Sequence, residues 1–484
     1  MYGIEPKLLF MDKKYDVVII GSGPNGLSAG ICLAEKGLKV AIIEAAETIG
    51  GGMRTAELTL PGFKHDICSA VHPMAYMSPY LKTLPLEKYG LDWIIPEASV
   101  AHPLDNEDAV ILSKSIKQTA ANLGLDGKRY SELITPFVER AEDLIADSLK
   151  PLGIPSNPLL MAKFGLKAVQ PSTLFANSRF KTERAKALFA GCAAHSILPL
   201  DKLFTSAIGL MFLITGHVEN WAIPKGGSQS LANSLGDYFK VLGGELILNT
   251  HITNMNQLPE ASKYMFDTDP LQLAKIAQDK LPSLYKKRLN NYKFGPGVFK
   301  IDFALDEAIP WKDSNCLKAS TVHLGGTLNE IAKSEKDAWQ GKHSDKPFVL
   351  IAQQSQFDDT RAPKGKHTGW AYCHVPNGSK MDMTTKIENQ IERFAPGFKD
   401  IILAKNTMAS KDFYSYNTNY FGGAVTGGVA DISQLFTRPV TRIDPYSTPN
   451  SNIFICSASS PPGGGVHGMC GYNAAQSVLK SLKL

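Results

Sequence analysis

The sequence predicts an α/β protein with parallel strands, and three observations lead there. An apolar run, Val17–Ile20, stops in a glycine-rich turn. A segment of helical period follows from Leu27 to Glu35, and a second apolar run, Val40–Ile43, closes on an acid, Glu44. Strand, turn, helix and strand in that order make a βαβ unit, whose parallel strands must be covered on both faces. Later in the chain, Leu231–Leu242 reads as a helix, Gly243-Gly244 as its cap and Glu245–Ile252 as a strand, a second αβ unit far from the first. The nucleotide-binding type of sheet is therefore expected to be discontinuous, with other material inserted between its parts.

The turn itself carries chemistry. It reads Gly21-Ser22-Gly23-Pro24-Asn25-Gly26, a GxGxxG pattern placed between strand and helix. Gly21 permits the tight turn, Gly23 lets the backbone approach a pyrophosphate, and Gly26 allows close packing of the helix. The helix N-terminus offers free N–H groups and the positive end of its dipole to the phosphates. Glu44, with Ala45 beside it, lies about twenty residues on, where a carboxylate accepts hydrogen bonds from ribose hydroxyls. The next glycines, Gly50-Gly51-Gly52, with Met53 and Arg54, form a loop that can pass close to the same ligand, and Arg54 can meet a phosphate.

Bulk properties narrow the class. A chain of 484 residues holds two or three domains, and 44% hydrophobic with 20% charged residues describes a globular protein with a large core. The net charge of +5 suits an acidic cofactor or a membrane surface, and no basic block interleaved with aromatics suggests nucleic acid. The seven cysteines are widely spaced and none forms a CxxC pair, so neither a disulfide framework, nor a zinc site, nor a redox-active disulfide is indicated. A reduced, cytoplasmic protein is expected. The opening residues, MYGIEPKLLFMDKKYD, do not read as a signal peptide, and the longest apolar candidate, Ala207–Ile214, reads as a buried core helix.

Between the nucleotide-binding parts the texture changes. Helical patterns dominate from about residue 84 to 221: Ser113–Leu123, Lys128–Leu149, Thr182–Ala194 and Leu203–Ile214. Leu159–Val169 is apolar with lysines on one side; it reads either as a core helix with a solvated edge or as a helix that dips into a membrane interface. From about residue 282 to 436, Val298–Leu305, Ser320–Leu324, Phe348–Gln354 and Thr368–His374 read as strands of a mostly antiparallel sheet, with a helix at Met383–Phe394. The segment Asn256–Lys263 is short where a longer hairpin is expected, so the nucleotide sheet reads as trimmed there. The resulting domains are 13–83, 222–281 and 437–484 for cofactor binding, 84–221 for a helical substrate part and 282–436 for an α+β substrate part.

The end of the chain gives a second strong signal. A strand, Asn452–Cys456, leads through a loop to Gly463-Gly464-Gly465-Val466-His467-Gly468-Met469-Cys470-Gly471-Tyr472 and a last helix. No acid follows about twenty residues on, so this is not a second nucleotide fingerprint. It reads as a helix N-terminus aimed at an anionic ligand group.

These motifs together resemble the phytoene desaturase family of FAD-dependent oxidoreductases. The likeness rests on GSGPNG with Glu44, the Gly50-Gly51 loop, Pro224-Lys225-Gly226-Gly227 and the terminal PGGGVHGMCGYNAA. It is nearest to the branch called pyridine nucleotide-disulfide oxidoreductase domain-containing protein 2. The resemblance implies a discontinuous FAD-binding domain of glutathione-reductase type with an inserted α+β substrate domain. It implies that Gly21, Gly23 and Gly26 hold the FAD pyrophosphate, that Glu44 holds the ribose, and that Gly50, Gly51 and Arg54 approach the phosphate and ribityl region. Gly465, Val466, His467, Gly468 and Met469 would line the pyrimidine edge of the isoalloxazine, and backbone near Ile252 would contact the adenine.

On this reading FAD is the fixed redox centre, and a hydride moves between an apolar, polyene or lipid-like substrate and the flavin. The electron partner is oxygen, a quinone or NAD(P)H. His467 is the foremost catalytic candidate, as a donor to reduced flavin or substrate, although a histidine there also suits a structural cap. Tyr472, Lys225 and Trp221 flank the flavin motifs; His72 and Tyr420 are candidates for the pocket wall, and His195 and His217 read as core or surface histidines. Two rivals stand beside the desaturase, saturase or isomerase reading: an amine or amino-acid oxidase, which needs an arginine for the substrate carboxylate among Arg54, Arg179, Arg361 and Arg438, and a non-catalytic flavoprotein with a binding role.

Overall fold

The structure is a computed structural model and describes residues 13–484. The opening stretch, up to residue 12, lies outside the described residues. Two large sheets organise the rest. Their strands, in chain order, are β1 (Lys14–Ile20), β2 (Val40–Ile43), β3 (Ala98–His102), β4 (Val110–Leu112), β5 (Glu245–Ile247) and β6 (Glu260–Phe266). Then come β7 (Gly297–Leu305), β8 (Ala319–Leu324), β9 (Val349–Ala352), β10 (His367–Val375), β11 (Ile402–Met408) and β12 (Ile453–Ile455).

The first sheet is wholly parallel, in the order β12-β6-β1-β2-β5. Its strands are buried on both faces, which is why they read as continuous apolar runs rather than alternations. Val17 and Ile19 enter the core shared with the helices Pro24–Ala34, Ser228–Val241 and Met469–Leu482, while Val18 and Ile20 enter a separate core on the other face. The second sheet has seven strands, β11-β7-β10-β9-β8-β3-β4. Its neighbours are antiparallel except β3 and β8, which run parallel. Alternation sorts its faces. Phe299, Ile301, Val322, Ile351, Ala371 and Cys373 pack with Ile387 and Ile391 of the helix Thr384–Phe394. The intervening residues, Val298, Lys300, Thr321, Leu350, Trp370 and Tyr372, face a cavity.

Several expectations are corrected. Residues 84–221 are not purely helical, because β3 and β4 lie there and complete the second sheet. The helix expected over Lys128–Leu149 is two helices, Gly127–Val138 and Ala141–Ser148, broken where Arg140 leaves the helical region (φ −128°, ψ 30°). The strand expected to run to Ile252 stops at Ile247. There Asn249 takes φ 53°, and the chain turns across the tip of β2, with Asn249 N–H donating to Ala46 O and Thr250 N–H to Glu44 O. Asn256–Lys263 holds no hairpin. It contains a short 3-10 turn and the start of β6, which lies between β1 and β12 inside a full five-stranded sheet.

Candidate active site

The glycine turn connects β1 to the helix Pro24–Ala34, which carries Pro24 in its first turn and no side-chain cap at Gly23. A fixed proline φ suits a helix start, and with no side-chain cap from Gly23 the positive end of the helix dipole faces the turn. Gly26 must be glycine: a Cβ there would lie 2.1 Å from the Gly21 carbonyl oxygen. The second glycine loop packs directly on the first, since a Cβ on Gly51 would come within 3.0 Å of the Gly23 Cα. This is a cradle built of backbone, shaped by the absence of side chains.

Glu44 stands at the tip of β2, almost buried. Its Oε2 accepts from Ser22 N–H (2.9 Å) and Ser22 Oγ–H (2.6 Å), and its Oε1 accepts from Ala46 N–H (3.0 Å). Arg54 approaches Oε1 at 3.2 Å, donates to Thr48 O at 2.8 and 3.1 Å, and lies 5.4 Å from the Tyr416 ring. Arg54 was expected to meet a phosphate. It lines the cavity and bonds to Glu44 and Thr48, where it fixes the carboxylate at the tip of β2.

One acid at this site escaped the sequence reading. Asp267 follows β6 and accepts from Gly26 N–H at 2.9 Å, at the N-terminus of the first helix. Burial holds its carboxyl well above the usual carboxylate range; the Gly26 bond opposes that shift and the Glu44 charge adds to it. A carboxyl kept neutral leaves the helix end free to face an anion. The only sequence signal for it is an Asp directly after an apolar strand.

A cavity of about 730 Å³ starts at this cradle and runs to the second sheet. Gly21, Ser22, Gly23, Pro24, Asn25, Glu44, Ala45, Gly51, Gly52, Arg54, Ile252, Gly465 and Val466 line it, as do His72, His195, Trp221 and Tyr420. The remaining expected cofactor residues support the wall from behind. Gly26 and Gly50 lie in the packed turns, and Met53 is buried in the core with the helix Ser228–Val241. Gly468 caps the last helix with φ 68°, and Met469 is buried in the same core.

The structure places the three catalytic candidates away from the cavity wall. The His467 ring is buried outside the cavity wall, and its Nδ1 accepts from Met469 N–H at 3.0 Å, the bond of a helix cap. Burial pulls its pKa down to about 4. The Tyr472 ring lies 4.4 Å from that of Tyr80, tilted by 30°. Lys225 is half exposed and faces Asp92 at 3.7 Å. None of them lines the cavity.

On the substrate wall the charged side chain is Lys300 of β7, which sequence reasoning missed because an isolated lysine in an apolar strand gives no motif. Its Nζ donates to both oxygens of Asp302, at 2.6 and 2.5 Å, two residues along the same face. Both side chains are buried, and the Nζ lies 5.8 Å from the Trp370 ring. Burial pushes Asp302 up to about 6 against the pull of Lys300. His65 Nδ1 stands 3.7 Å from Asp302, its pKa lowered to about 3 by burial and by the Lys300 and Arg361 charges. At the other side of the cavity, His195 Nε2 and His323 Nε2 are 3.0 Å apart, and His195 meets the edge of Trp221. Burial keeps both rings neutral. His72 donates from Nε2 to Ser228 Oγ, which itself donates to Ser69 O. His217 is a core histidine bound to Tyr130 Oη at 2.6 Å, as expected.

Comparison with known proteins agrees with this geometry. Residues 19–84 match the family model of an NAD(P)-binding Rossmann-like domain. Pyridine nucleotide-disulfide oxidoreductase domain-containing protein 2 of Mus musculus is 25% identical, over 97% of this chain and 94% of its own length. Phytoene desaturase (lycopene-forming) of Pseudescherichia vulneris is 22% identical, over 93% of this chain and 96% of its own length. Wild-type putrescine oxidase bound to putrescine superposes with a TM-score of 0.62 at 17% identity, covering 97% of this chain and 99% of that one. The backbone cradle, the neutral acid beneath it and the glycine loop of the last helix suit a dinucleotide bound with its phosphates at the first helix. These full-length likenesses are to oxidoreductases, and together with the cradle they support FAD as the cofactor held there.

Proposed function

We propose that the chain moves a hydride between a C–H or C=C site of an apolar, isoprenoid or lipid-like substrate and its FAD. The observation that carries this reading is the substrate wall: Phe212, Trp221, Val298, Leu350, Trp370 and Phe413, with a lone ammonium at Lys300 already neutralised by Asp302. Bound FAD supplies the two-electron chemistry. The chain's own residues hold the substrate by dispersion against aromatic faces and exclude water from the reacting carbon.

The rival oxidases fit less well. An amino acid needs a free arginine, and Arg54 is the arginine of the cavity wall, bound to Glu44. Arg361 is buried against Asp66, Arg438 donates to Tyr292 Oη and Gly428 O, and Arg179 is exposed on the surface. An amine cation would gain from the charge of the Asp302 carboxylate behind that wall, but Asp302 is held by Lys300, whose ammonium in the wall repels a second cation. Anaerobic spectra of the FAD-loaded protein test the proposal. A polyene or isoprenoid is expected to bleach the flavin, or to reoxidise it after chemical reduction. Bleaching by primary amines or amino acids, with no response to apolar substrates, would sink it. A flavin that responds to none of these, in a protein that keeps its biological effect after FAD removal, would favour a binding role.

A further inference from the structure

The charge of the chain is unevenly placed. Residues 149–182 contain five basic residues, Lys150, Lys163, Lys167, Arg179 and Lys181, and no acidic one. The whole chain has 51 basic and 46 acidic residues, so this segment is richer in cations than the rest; Lys150 is paired with Asp147 just before it. The same segment exposes large apolar side chains. Leu152 and Ile154, in the loop before the helix Pro158–Ala168, are 77% and 88% exposed, and Leu159 and Leu166 on that helix are 77% and 73% exposed.

The helix is apolar on two sides. Leu160, Phe164 and Ala168 form its buried stripe, at the spacing of a core-facing helix. Leu159, Lys163 and Leu166 share the opposite, exposed face. A solvated helix does not ordinarily present leucines there, and contiguous exposed apolar side chains mark a contact surface. The cations are grouped with them. Lys167 Nζ donates to Lys163 O at 3.4 Å one turn back on the same helix. The patch continues beyond the segment: Phe204 N–H donates to Val169 O, and the Phe204 ring lies 5.5 Å from that of Phe436, which is 47% exposed.

We infer that this face docks on an anionic lipid bilayer, with Leu152, Ile154, Leu159 and Leu166 entering the interface while Lys163 and Arg179 meet the headgroups. Exposed leucines beside unbalanced cations are the composition of an interfacial anchor, and each cation near an anionic leaflet adds to binding. Among the described residues no helix is long and apolar enough to cross a membrane, so the contact is made from one side.

The test is flotation of the full FAD-loaded protein with vesicles of phosphatidylcholine alone or mixed with phosphatidylserine. The protein is expected to float with the mixed vesicles and to be released by salt. Lys163→Glu with Arg179→Glu is expected to weaken binding at least about thirtyfold. Replacing Leu152, Ile154, Leu159 and Leu166 by Ser is expected to abolish flotation with the flavin spectrum and melting temperature unchanged, since all four are exposed. A control pair outside the segment, Lys342→Glu with Lys364→Glu, should float as the parent does. Three results overturn the inference: the parent stays in the soluble fraction with both vesicles, the serine variant floats as well as the parent, or the control pair loses binding as much as Lys163→Glu with Arg179→Glu.

Discussion

The two ends of the cavity are built on different principles. At the cofactor end the chain uses backbone: glycines, a helix start with no side-chain cap at Gly23 and a turn whose carbonyl leaves no room for a methyl group. At the substrate end it uses side chains projected from alternate positions of a sheet, with one buried ion pair among aromatics. The first kind of site tolerates almost no added atoms. The second tolerates exchanges of similar volume but not the removal of one charge from a pair.

The largest expected effect is at the cofactor end. Gly26→Val drives a branched side chain into the Gly21 carbonyl, and the purified protein is expected to lack FAD, as read from its visible spectrum. Retention of stoichiometric flavin would break the contrast. Next is Lys300→Ala, which strands Asp302 in the interior and is expected to cost about 3–5 kcal/mol of stability in denaturant titrations, while the protein that remains folded keeps its flavin. Asp302→Asn sharpens the same point through pH. The folded-state pKa of Asp302 is raised from 3.8 to about 6, so its protonation stabilises the fold fully below about pH 4, and this contribution is lost as pH rises through about 6. Buried histidines with lowered pKa values, His65 and His467 among them, act in the opposite direction over that interval, so in the Asn variant the melting temperature is expected to rise more steeply with pH than in the parent.

Smaller effects separate cap from catalyst. His467→Ala removes a helix-cap acceptor and is expected to cost about 1 kcal/mol, with flavin reduction by substrate nearly unchanged; a loss of that rate by orders of magnitude would restore the ring to the chemistry. Lys225→Ala, on a half-exposed residue, is expected to stay within about 0.5 kcal/mol of the parent in stability and to match it in turnover.

The same contrast explains what could be read from the sequence. The cofactor end was legible because its devices are local: GSGPNG, Glu44 and the terminal glycine run each keep their meaning within a few residues. Gly21, Gly23, Glu44, Gly51, Ile252, Gly465 and Val466 all reach the cavity wall. The roles of neighbours were less legible, because Arg54 and His467 each carry a group that suits either a ligand or the protein, and only the fold shows that the protein already uses it. The substrate end was largely illegible. Lys300 and Asp302 are apart from any motif, and their strand faces the cavity only because β10 and β11 flank β7. Likewise β3 and β4, embedded in helical sequence, belong to a sheet whose other strands start about two hundred residues later. Strand existence is a local property, but strand partnership is not.

The order β12-β6-β1-β2-β5 has a consequence for how the protein comes to hold its cofactor. The first strand made, β1, waits for β6 to pair on one side, and β6 waits for β12 at residues 453–455. The glycine loop at Gly465 arrives later still. Such distant pairings make assembly slow and leave unpaired strand edges open meanwhile. A nascent chain thus carries its nucleotide fingerprint long before the strands and the glycine loop that complete the site have been made.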